Sequence, residues 1–169
     1  MDFRIERSHS ANIKGPLLYI DMNKPLFDGK VTSFIYTMSE YELEDFVFPV
    51  IWRLIPDSKD EYEIVCMAES RPNNKDNSVI AFLGEPCDVK EGDRVGFIYT
   101  GRGTVPISHY YAKNAENLVN VNYTGLMSVL KPKVGSAYSF AYLNRDFVFN
   151  IYAKECIVTY GNLGIDFRF

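Results

Sequence analysis

The chain has 169 residues, 47% hydrophobic and 24% charged, with a net charge of −4. That length closes a substantial core without structural metal. The acidic balance, with no basic run, excludes a nucleic-acid surface, and no apolar stretch approaches the ~20 residues of a membrane helix. Tyr and Phe, 12 of each against a single Trp, favour the half-buried surface of a β-sheet.

The dominant pattern is alternation with a period of two. "DFRIER" near the start predicts a short strand with Phe3 and Ile5 on its apolar side, and residues 8–16 a loop. "KVTSFIYTM" alternates next, followed by "SEYELEDF", which carries two turns' worth of helical signal. In "VFPVIWRLI", Phe48, Val50, Trp52 and Leu54 share one face; Val47, Ile51, Arg53 and Ile55 share the other. The apolar surroundings of Trp52 place it in the core rather than on a ligand platform.

"YEIVCMA", "SVIAFLG", "RVGFIYT", "SAYSFAYL" and the terminal "GIDFRF" are further strands, separated by clusters of Gly, Pro, Asn, Asp and Ser. "YYAKNAENL" is the second helical candidate, and 113–125 a long loop. About nine to eleven strands, without long amphipathic helices between them, predict one all-β domain over residues 1–169. The expected architecture is an antiparallel β-sandwich of jelly-roll type with few or only short helices.

"VKEGDRVGFIYTGRGTVPIS" is the most patterned stretch. Glu91-Gly92-Asp93 reads as a tight turn in which Gly92 takes positive φ. "TGRGT" lacks the following helix and the spacing of a phosphate loop. The turn, together with "VIWRLIP" and "YEIVCMA" upstream, resembles the jelly-roll modules of extracellular multidomain proteins abundant in invertebrates, over about residues 28–108. The resemblance implies an extracellular, non-enzymatic recognition or matrix module and carries no catalytic residues. By itself the N-terminus, with no basic start or apolar middle, lacks a signal peptide and leaves a cytosolic chain open.

The chemistry is sparse. Cys66, Cys87 and Cys156 fit three thiols as well as one disulfide plus a free thiol, and their spacing does not suggest zinc. Two histidines, His9 and His109, and no hydrolase motif give no basis for catalysis. Oxygen-rich "PDSKDE" and "PNNKDN" offer Asp57, Asp60 and Asp76 as calcium ligands if the loops meet. Sugar or protein recognition would fall to Tyr110 and Tyr111, read as loop tyrosines, with Arg102, His109 and Asn114 as polar partners. The expected function is recognition of a glycan or an extracellular protein through end loops. Alternatives are a self-associating matrix protein, such as a complement-type trimer, and a hydrolase on the same scaffold. "NYT" at Asn122 is a glycosylation sequon.

Overall fold

The computed structural model describes residues 13–38, 47–68, 78–101, 103–120, 132–140, 142–158 and 165–168. "DFRIER", "SEYELEDF", Arg102, Asp76, His9 and the sequon lie wholly or mostly outside them. Eleven strands form, and no helix among the described residues: β1 (Leu17–Pro25), β2 (Gly29–Thr37), β3 (Val47–Leu54), β4 (Glu61–Met67), β5 (Ser78–Val89), β6 (Arg94–Tyr99), β7 (His109–Asn120), β8 (Ala137–Ser139), β9 (Tyr142–Phe149), β10 (Ile151–Val158) and β11 (Ile165–Arg168). The seven-stranded sheet runs β8-β4-β3-β6-β1-β7-β9 and the four-stranded sheet β11-β10-β2-β5, with every ladder antiparallel.

The pairs β3:β4, β2:β5 and β1:β6 are nested, like one long hairpin folded over, and successive pairs fall in alternate sheets. That wrap is a jelly roll. Its interior holds Leu17, Tyr19, Val31, Phe34, Tyr36, Val47, Ile51, Phe97, Tyr99 and Phe149. Tyr19, Phe97 and Phe149 pack with centroids 4.9–5.2 Å apart, two of the three contacts edge-on, the arrangement that ring quadrupoles favour.

The large sheet buries its other face too. Leu18, Ile20, Phe48, Val50, Trp52, Ile64 and Ile98 form a second apolar cluster, closed over by Phe140 against Trp52 and Tyr62. Connectivity explains why this face is dry. Strands β8 and β9 are opposite edges of the sheet, six inter-strand gaps apart, or about 29 Å if it were flat. The step from Ser139 to Tyr142 spans at most about 11 Å. The sheet must therefore curl around the second cluster until its edges approach. This is the physical reason "VFPVIWRL" is apolar on both faces.

Two features of the sequence reading are corrected. "YYAKNAENL" and the first part of the expected 113–125 loop are strand β7, paired with β1 on one side and β9 on the other. Two ladders outweigh the weak helical preference of Ala, Lys and Glu. Of the two cysteine readings, the structure contains the disulfide: Cys66 of β4 is bonded to Cys87 of β5, joining the sheets, and Cys156 is a free thiol. Val65 is an extra residue in the β3:β4 ladder, opposite the step from Ile51 to Trp52. This bulge inverts the alternation, so Ile64 faces the second cluster while Cys66 faces the inter-sheet core and reaches Cys87.

Candidate functional site

A recess of about 260 Å³ opens on the flank of the sandwich, where the end of β1, the middle of β7 and the β9–β10 corner meet. Strand β7 supplies one wall through a large bulge. Tyr111 pairs with Phe147 and Glu116 with Arg145, so Ala112–Ala115 oppose the single residue Asp146. Asn114 turns the bulge at φ 65°, a left-handed conformation that Asn tolerates better than most residues.

Asn23 holds the bulge in place. Its Oδ1 accepts from Glu116 N at 2.9 Å, and its Nδ2 donates to Glu116 O at 3.0 Å. The side-chain amide thus takes the place of a neighbouring strand. Asp21, buried, accepts from both the backbone N and Nδ2 of Asn23 through one oxygen, Oδ1, at 2.8 and 2.7 Å.

The opposite wall comes from the corner at Asn150, where the chain passes from the large sheet to the small one. Asn150 N donates to Ser108 O, Thr37 N donates to Asn150 O, and Asn150 Nδ2 donates to Thr37 Oγ1. The bend carries Tyr152 up to Tyr110, and both phenol side chains line the recess. Both rings stay part-exposed, 42% for Tyr110 and 38% for Tyr152, so neither has been consumed by the core. Burial raises the Tyr110 pKa, with smaller contributions from Tyr152 and the Asp21 charge. Lys24 holds its Nζ 5.4 Å from the Tyr152 ring centroid, a cation–π contact. Lys113 and Asn114 complete the rim.

No family model, no curated protein and no solved structure matches this chain. The reading therefore rests on the geometry.

Of the five ligand candidates taken from the sequence, Tyr110 and Asn114 line the recess. They do so from a strand, not from end loops. Tyr111, 60% exposed, alternates to the other face of β7. Arg102 lies outside the described residues. His109 is half-buried and packs against Phe147 and Phe149, ring centroids 5.9 and 5.4 Å away, and is not among the residues lining the recess.

Burial lowers the His109 pKa from its ordinary 6.5. Below that value the unfolded chain takes up a proton that the folded chain resists, so stability falls as pH drops through the window beneath 6.5. The loss of Tm between about pH 7 and about pH 5 is expected to be smaller in His109→Phe than in the parent. Equal losses would show that His109 does not carry this pH dependence.

Asp57 and Asp60 are exposed in the β3–β4 turn, where Ser58 Oγ accepts from the backbone N of both Asp60 and Glu61. Asp76 is outside the described residues, and among those residues no three His, Cys, Asp or Glu gather for a metal. Asp21, Lys24 and Tyr152 were absent from the sequence reading. Asp21 and Lys24 come from β1 and Tyr152 from β10, and no motif in the sequence would have signalled them together.

Proposed function

We propose that this chain is a non-enzymatic recognition module that binds a glycan in the flank recess. The observation that carries this reading is the Tyr110–Tyr152 pair, part-exposed and set beside Asp21 and Asn114 in one concavity. A sugar ring has an apolar C–H face and a rim of hydroxyls; the phenol rings suit the first, and the carboxylate and amide suit the second. A protein partner would favour a broader, flatter surface. A hydrolase acting by the usual pair of carboxylates needs two, and among the described residues Asp21 is the only one lining the recess. The Cys66–Cys87 disulfide favours an oxidising, extracellular setting, as does the motif resemblance.

The test is a glycan array run with calcium and with chelator, repeated on Tyr110→Ala and Tyr152→Ala. The parent is expected to bind a defined subset, and each variant to lose at least about tenfold in affinity while keeping its fold, because both side chains are part-exposed. Loss with chelator would add a calcium site and point to Asp57 and Asp60. Variants that bind like the parent would remove the recess from the account.

One observation favours a second reading, self-association. On edge strand β5, Ile80 is 55% exposed and Phe82 73%, an apolar display of the kind that marks interfaces. An array without binding, together with a stable oligomer that Phe82→Ser dissociates, would put that reading first.

A further inference from the structure

Resting on the glycan reading, we infer that the recess selects a terminal sugar bearing a single negative charge, a carboxylate or a sulfate ester, over its neutral counterpart. Three observations carry this. Lys24 and Lys113 both line the recess, and both are exposed. The ion pairs among the described residues are Lys30–Asp88 and Arg53–Asp93, so neither recess lysine is neutralised there. Asp21, the single lining carboxylate among the described residues, is buried and gives Oδ1 to Asn23 rather than to either ammonium.

Among the described residues the lining therefore carries one positive charge in excess, on a chain whose net charge is −4. A local reversal of sign against the overall charge is what an anionic ligand requires for steering and pairing. Lys24 already leans over the Tyr152 ring, which puts its ammonium beside the face proposed for the sugar's C–H surface. A ring packed there would have its acidic substituent within reach of that ammonium and its hydroxyls toward Asp21 and Asn114.

Two limits narrow the class. The volume, about 260 Å³, lies below the roughly 300–1,000 Å³ of drug-sized ligand sites, which suits one terminal ring rather than an extended chain. Asp21 would repel a doubly charged phosphate more than a monoanion, so a phosphorylated sugar fits less well.

The experiment titrates the full chain with two matched series: lactose, sialyllactose and sulfated lactose; and glucose, glucuronate and glucose sulfate. In the series that binds, the charged members are expected to bind about tenfold tighter than the neutral one, an advantage that shrinks with added salt. Lys24→Gln combined with Lys113→Gln should remove the advantage of the charged members over the neutral one. A carboxylate preference without a sulfate preference, or the reverse, supports the inference and names the substituent. Charged and neutral members binding equally would overturn it while leaving the glycan reading intact. A blank in both series and on the array would overturn both.

Discussion

Gly96→Ala is expected to cost about 4 kcal/mol or more, enough to unfold a marginal domain. Gly96 sits in β6 between Ile20 of β1 and Val50 of β3. A Cβ there would lie 1.9 Å from Tyr19 O and 2.5 Å from Trp52 Nε1. Those two atoms are themselves hydrogen-bonded, at 3.0 Å, in a fully buried setting. The new methyl has no flexible neighbour to displace. Either the β1 backbone moves, breaking its ladder, or the indole swings away and its N–H loses its acceptor. Each outcome adds a polar penalty to the steric one. Gly84→Ala is the control, since nothing lies within 4 Å of its Cβ position; it should change stability by less than about 1 kcal/mol. Urea melts followed by the fluorescence of Trp52, the single tryptophan, measure both. A Gly96→Ala midpoint near that of the parent would mean that the close approach does not hold in solution.

The same residues show how far the sequence could be read. In β3 the alternation was visible, and so was its anomaly: both faces were apolar. The reason for the anomaly, a sheet curled around its own second cluster, depends on the short step from Ser139 to Tyr142 between strands whose pairing partners lie far away in sequence. No local pattern carries that. Strand β1 was not singled out because Leu17, Leu18, Tyr19 and Ile20 are all buried, and a run dry on both faces has no alternation to detect. The disulfide was left open because cysteine spacing does not encode pairing; a single bulge at Val65 decides which way Cys66 points. Only two residues of the recess were legible. Tyr110 and Asn114 were picked out as aromatic and polar residues in a polar segment, although that segment was taken for a loop. Asp21 and Lys24 on β1 and Tyr152 on β10 are ordinary strand residues, and the jelly-roll wrap alone brings the two strands together at the recess.

The second large effect concerns the motifs behind the resemblance. "IWR" and the "EGD" turn touch in space. Arg53 donates from Nε and Nη2 to the two carboxylate oxygens of Asp93, at 2.8 and 2.7 Å, and Asp93 also accepts from Lys90 N at 2.9 Å. That hydrogen bonding raises the Arg53 pKa, so the guanidinium stays charged. The turn is pinned from its other side by Leu26, whose N donates to Asp93 O and whose O accepts from Gly92 N. Gly92 makes this geometry with φ 91°, as a glycine is needed to do. The motifs therefore encode a clasp between β3 and the turn before β6, with no ligand required. Asp93 is 2% exposed, so Asp93→Ala should cost about 3 kcal/mol, near the lower end for a broken buried pair because Arg53 retains some contact with water. Asp93→Asn keeps an acceptor for Lys90 N and should cost less. Arg53→Met combined with Asp93→Ala should cost less than the two single losses together, since the double variant leaves no partner stranded; a coupling of about 2 kcal/mol is expected from the cycle. The glycan binding proposed for the recess, in contrast, should survive in whatever fraction of Asp93→Ala remains folded, because the clasp contributes no residue to the recess. Loss of binding at full folding would give the "EGD" turn a role in recognition that its contacts do not show.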